Sequence, residues 1–265
     1  MPIARTESVR IRTFRLKIAR EIPKFPNDNN NNALSSLESE SLATLMVHHT
    51  NWAVRCVSSH PRAVHVESTA SSDSRWPMLK IEIESFLEKV KRGDDLTPHL
   101  SLAPHTRGYT PAPSMVGGQV GRWADKDFLL IVMGYHHFHL SLTIEARGFV
   151  TRTDEVLFAK VSRHDFTVMA IFDHSVIKMS RTPNEDMTKE RKRLWDMFDA
   201  YSTRGLSPGS TYIPAMIATS GHSLHLVQLA QEYARIIREL DPKLDDTVFI
   251  QDMFQRAGGG CVRLS

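Results

Sequence analysis

Residues able to move protons and hold negative charge gather in the stretch from Phe128 to Ile177. The run Gly134-Tyr135-His136-His137-Phe138-His139 carries three imidazoles, Arg152 and Asp154 follow, and His174 comes directly after Asp173. RNA can be cut without a metal by few parts. A base takes the ribose 2′-hydroxyl proton, an acid protonates the leaving 5′-oxygen, and cations hold the extra charge on phosphorus. Imidazole serves both proton-transfer roles because it titrates near neutrality. His139 and His174 are the first-choice pair, with His137 beside them and Asp154 as orienting group or base. Arg152 is the candidate for stabilising the charged phosphorus centre, and Lys160, His136 and Lys178 are candidate substrate-binding residues. Arg152 and Lys160 lie on opposite sides of a strand start, so the two are not expected to serve one phosphate together. This reading needs no cofactor and no metal. A zinc-dependent hydrolase is one alternative, with His137, His139, His174 and Asp154 as ligands, since neutral imidazoles and a carboxylate suit that ion; a non-catalytic RNA- or protein-binding protein is another. For each histidine taken singly, a hydrogen-bonded structural role is the competing assignment.

The elements that would position these groups read as strands. Alternation through Phe128–Leu142 puts Val132, Gly134, His136, Phe138, Leu140 and Leu142 on one face and Met133, Tyr135, His137, His139 and Ser141 on the other. Two more runs, Glu155–Val161 and Phe166–Phe172, are rich in β-branched and aromatic residues, with a polar turn at Ser162–Asp165. Three antiparallel strands in a meander are expected, with His174 just past the end of the last.

The order Gly134-Tyr135-His136-His137-Phe138-His139, then Asp154-Glu155-Val156-Leu157-Phe158-Ala159-Lys160, then Phe172-Asp173-His174-Ser175-Val176-Ile177 resembles the RelE/YafQ-type ribonuclease toxins. In those proteins a strand ending in histidine is followed by an acidic-headed strand and then by a strand ending in a Thr-His-Ser sequence. The resemblance implies an endoribonuclease core with His139, Asp154 and His174 at matched positions. Its implied partners are RNA, with the ribosome as one setting, and an antitoxin protein. The chain departs from the pattern in several places. Ser141–Thr153 lengthens the first connection, His137 stands where an acidic residue is usual, Glu155 replaces a Trp, and Lys178 replaces an aromatic. The family also draws a histidine from the segment before the first catalytic strand, a place open to His99 or His105.

Hydrophobic content of 41% and charged content of 24% in 265 residues are those of an ordinary globular protein. A net charge of +3 permits nucleic-acid binding without requiring it. The two cysteines, Cys56 and Cys261, argue against a disulfide framework. No apolar run is long enough for a membrane span, and no secretory leader is read, so the cytoplasm is the expected location.

The expected class is α+β: a small antiparallel sheet with flanking helices, extended at both termini. Three consecutive parts are expected. Residues 1–75 form an N-terminal extension of strand, Asn-rich linker and helix; 76–180 form the core; and 181–265 form a helical extension. Ser8–Ile22 alternates basic and apolar residues and reads as a strand with a phase slip near Thr13–Phe14, its basic side facing RNA or protecting a sheet edge. Met78–Val90 and Leu224–Leu240 read as amphipathic helices. Thr182-Pro183-Asn184-Glu185 reads as a helix start ahead of the basic run Lys189, Arg191, Lys192 and Arg193, candidate phosphate contacts. Ser220 lies near His222 and His225 but lacks the surrounding glycines of a nucleophile elbow.

Overall fold

A computed structural model describes residues 7–24, 31–110, 126–177, 186–213 and 216–256. Among these the chain forms ten α-helices: α1 Val9–Glu21, α2 Asn31–Ser39, α3 Leu42–Ala53, α4 Ser68–Ser71, α5 Lys80–Arg92, α6 Ala103–Thr106, α7 Phe128–Met133, α8 Lys189–Thr203, α9 Leu224–Leu240 and α10 Thr247–Arg256. Four strands accompany them: β1 Ala63–Val66, β2 Tyr135–His139, β3 Glu155–Val161 and β4 Asp165–Asp173. The class is α+β, as expected from the sequence. No helix among the described residues is long and apolar enough to cross a membrane.

The strands lie in the order β1-β4-β3-β2. β2, β3 and β4 form the expected antiparallel meander, and β1 joins parallel to β4, with Ala63 opposite Asp165. The turn into β4 is tied by Ser162, whose Oγ accepts the Asp165 N–H at 2.9 Å. Both faces of the central strands β3 and β4 are buried, with apolar side chains on either side, whereas the edge strand β1 is largely exposed. α5 covers one face. Its Ile83, Phe86, Leu87 and Val90 recur at helical spacing and meet Phe138, Leu157, Phe166 and Ile171. The helix stops at Gly93, whose φ is +79° and where a β-carbon would run into the Pro61 backbone. On the other face α7 brings Leu129 and Met133, and α8 brings Leu194, Met197 and Phe198, against Tyr135, Val156, Phe158 and Phe172.

Two expectations about elements are corrected. The first half of Phe128–Leu142 is not strand but α7. Asp127 caps it, accepting the Leu130 N–H at 3.0 Å, and Gly134 ends it with φ +73°. Ser8–Ile22 is also helical. Ser8 Oγ accepts the Ile11 N–H at 3.1 Å, and Ile11, Ile18, Ala19 and Ile22 are buried on one side. What reads as a phase slip in a two-residue repeat is the drift expected of a 3.6-residue one. The Thr182–Glu185 start lies outside the described residues. The observed cap of α8 is Thr188, accepting the Arg191 N–H at 3.2 Å.

The chain divides into two compact units, each discontinuous in sequence. One is drawn from the described parts of 53–105 and 125–223 and holds the sheet. It includes β1 and α8, which the three-part reading places in the extensions. The other is drawn from 1–52, 106–124 and 224–265. In it, Ala33, Leu37, Leu42 and Leu45 pack with Ile11, Ile18, Tyr109, Ala230 and Ala234.

Candidate functional site

Strand pairing places His139 opposite Val156 at the start of β3. His174 opens a short 3₁₀ turn, His174–Ile177, directly after β4, and its backbone N–H donates to the Asp154 carbonyl at 3.0 Å. The two imidazoles therefore meet from separate strands. Their rings stack with centroids 5.3 Å apart and planes 29° from parallel. His137 continues the group, edge-on to His139 at 6.5 Å and stacked on Phe158 at 6.0 Å. Arg152 and Asp154, just before β3, are exposed, and His174 is half-buried.

His139 is not in the state an acid catalyst requires. It is 2% exposed, and neither ring nitrogen has a hydrogen-bond partner. Burial, reinforced by the charge of Arg152 and by neighbouring imidazoles, pushes its pKa down to about 3. Its ring is neutral at ordinary pH, so it has no proton to give a leaving oxygen. Burial also lowers the pKa of His137, with Arg152 and His174 adding to the effect and Asp127 opposing it.

The remaining candidates are distributed as follows. His136 faces the α5 side, stacked on Phe138 at 6.1 Å, and its Nε2–H donates to the Val54 carbonyl at 3.0 Å. It is therefore on the opposite side of β2 from His137 and His139. Lys160 lies at the far end of β3, over the Tyr201 ring at 5.3 Å, about 20 Å along the strand from Asp154. Lys178 lies outside the described residues. The metal alternative does not assemble: among the described residues no three His, Cys, Asp or Glu side chains are placed to hold one ion.

The basic elements also change meaning. Arg193 is spent internally, donating to Asp73 at 2.6 Å and to Glu190, while Arg75 binds the same two carboxylates and both guanidiniums reach the Ile171 carbonyl. Arg191 donates to the Val176 carbonyl at 3.4 Å, leaving Lys189 and Lys192 as exposed cations of that run. In α1, Arg10 is held by Asp241 and Asp245, Arg15 by Glu7, and Arg20 by Glu38. Those arginines are braces within their own unit rather than an RNA-facing strand.

One contributor was not singled out for what it does. His99 is 2% exposed, and its Nδ1–H donates to the His139 carbonyl at 2.7 Å. It reaches the end of β2 through that backbone and not through a reacting group. His105 packs against Phe149 at 5.4 Å. Ser220 and His222 do meet, Oγ to Nδ1 at 3.0 Å, as a contact between residues two apart in a turn.

No protein-family model, curated protein or solved structure matches this chain.

Proposed function

We propose that the chain is a metal-independent endoribonuclease of RelE/YafQ-like type, with His174 as its proton-transferring side chain. The observation that carries this reading is the His139–His174 stack beside the exposed Arg152 and Asp154. In this assignment His174 exchanges protons with RNA, Asp154 shares the base role, and Arg152 holds the charge that develops on phosphorus. His139, neutral and buried, fixes the plane of the His174 ring and takes no proton itself. The ribose 2′-oxygen attacks the adjacent phosphorus, the bond to the 5′-oxygen breaks, and the products are a 2′,3′-cyclic phosphate and a 5′-hydroxyl. RNA is the substrate, with ribosome-bound RNA as one form of it and an antitoxin as the expected protein partner.

The test is incubation of purified protein with RNA in EDTA. Cutting that persists, leaves cyclic phosphate ends and disappears in His174→Ala supports the proposal. Growth arrest on expression, relieved by the same substitution, supports the toxin-like role. The burial of His139 favours a second reading, a non-catalytic RNA-binding protein, because one reachable imidazole must then cover two proton transfers. That reading expects RNA retention that weakens with salt and no cleavage.

A further inference from the structure

The trio His137–His139–His174, with His139 stacked on His174 and edge-on to His137, joins strand β2 to the turn that follows β4. Its middle ring is 2% exposed and has no hydrogen-bond acceptor for a second N–H. A neutral imidazole tolerates this position at the cost of unmet hydrogen bonds. A protonated one would be a buried cation without a counter-ion, far costlier than the same cation in water.

The groups acting on the His139 ring do not relieve that cost. Arg152, before β3, adds positive charge toward both His137 and His139. His99, from the Thr97–His99 turn, has its Nδ1–H on the His139 carbonyl, with Lys89 of α5 at 3.0 Å behind it and Asp95 nearby. Asp127, the cap of α7, favours a proton on His137, one ring away from His139. Asp154 meets His174 through its backbone carbonyl. Opening the turn would let the His139 ring reach water and accept its proton there.

We propose that the His137–His139–His174 trio is an acid-operated latch: proton uptake by His139 unseats the His174–Ile177 turn from the end of β2. Closed, the turn is held by the His174 N–H on Asp154, by Thr188 Oγ1 donating to the Ser175 carbonyl at 3.0 Å, and by the buried Val176. Each opening at mildly acid pH releases a ring that binds a proton near its ordinary 6.5 in place of about 3. Between pH 7 and pH 5 that difference raises the opening equilibrium about 25-fold. The latch concerns the protein alone and does not depend on whether it cleaves RNA.

Hydrogen exchange on the full chain, corrected for the intrinsic pH dependence of the amide rate, tests it. The expected result is an opening constant for the His174 amide that rises about 25-fold from pH 7 to pH 5. The amides of Leu157 and Phe158 in β3 should stay better protected than His174 at both pH values, because they need more than the turn to open, and the rise at His174 should vanish in His139→Phe. No rise at His174, protection at His174 equal to that of β3, or the same rise in His139→Phe overturns the latch. If His139→Phe does not fold, the ring ¹⁵N shifts of His139 in the unaltered protein decide. A minor state with a protonated ring that grows from pH 7 to pH 5 in step with the His174 exchange supports the proposal, and a minor state whose ring stays neutral while exchange rises overturns it.

Discussion

The Nδ1–H of His99 donates to the carbonyl oxygen of His139 across 2.7 Å. A carbonyl can only accept, so the proton sits on Nδ1, and Nε2 is left to accept from the Lys89 ammonium at 3.0 Å. One imidazole thus ties α5 to the last residue of β2. His99→Phe keeps a ring in contact with Phe86 but strands the His139 carbonyl and the Lys89 ammonium. A loss of about 1 to 3 kcal/mol is expected, read from urea denaturation. An unchanged midpoint would remove His99 from the set of residues that hold the strand end.

Acid should weaken the fold through His139. The folded ring keeps its proton off down to about pH 3, whereas the unfolded ring protonates near 6.5. Between those values the unfolded chain binds more protons, so stability is unaffected above about 6.5 and falls as pH drops below it. The slope is about 1.4 kcal/mol per pH unit for this group, reaching about 4 kcal/mol near pH 3.5. His136, His137 and His99, whose pKa values are also lowered by burial, act in the same direction. In His139→Phe, denaturation curves from pH 7 to pH 4.5 should show a slope smaller by about one proton.

The Asp73 carboxylate accepts three hydrogen bonds from Arg75, one of them from its backbone N–H, and one from Arg193, and its side chain is 6% exposed. Replacing it with Ala leaves two guanidiniums with Glu190 and the Ile171 carbonyl as their acceptors. The cost should be about 2 to 4 kcal/mol, below the full value for a buried pair because Arg193 is partly open to water. A double replacement of Asp73 and Arg193 should cost less than the sum of the single changes, which a double-mutant cycle would measure.

If the proposed chemistry holds, Arg152 and Lys160 should separate cleanly. Arg152→Ala should slow RNA cleavage about 10²-fold, the scale on which removing one charge-stabilising donor acts. Lys160→Ala should leave the rate near that of the unaltered protein, since Lys160 sits at the opposite end of β3. Equal losses from both would place the phosphate elsewhere on the sheet.

Gly93→Ala should be destabilising by more than about 2 kcal/mol. The left-handed backbone there is strained for any other residue, and the added carbon meets the Pro61 backbone. Thermal denaturation would show the loss without a change in secondary structure at low temperature.

The sheet was readable because period-two patterns and a tight polar turn are local signals. The runs 155–161 and 166–172 became β3 and β4 with little adjustment at their ends. α5 and α9 were readable for the corresponding reason at helical period. α1 was not, because alternating Arg and apolar residues fit both periods over a few turns, and its buried side appears only once partners are known. The convergence of His139 and His174 followed from strand order. Whether their rings would meet water did not: His139 is buried, and the His174 ring lying against it belongs to a turn beyond the last strand, which no repeat in the sequence marks. The carboxylates bound to Arg10 and Arg193 were hidden by distance along the chain: Asp241 lies beyond two hundred residues from Arg10, and Asp73 more than a hundred from Arg193.

Arg10 and Asp241 also set an order of events during synthesis. Chains emerge from the ribosome amino end first, and the sheet's residues are all made before 224. The sheet unit can therefore close while α1, though made before it, still waits for Ala230, Ala234 and Asp241. A chain halted at Ser223 should resist protease across β3 and be cut within α1. A helix synthesised ahead of the sheet thus finds its place after it.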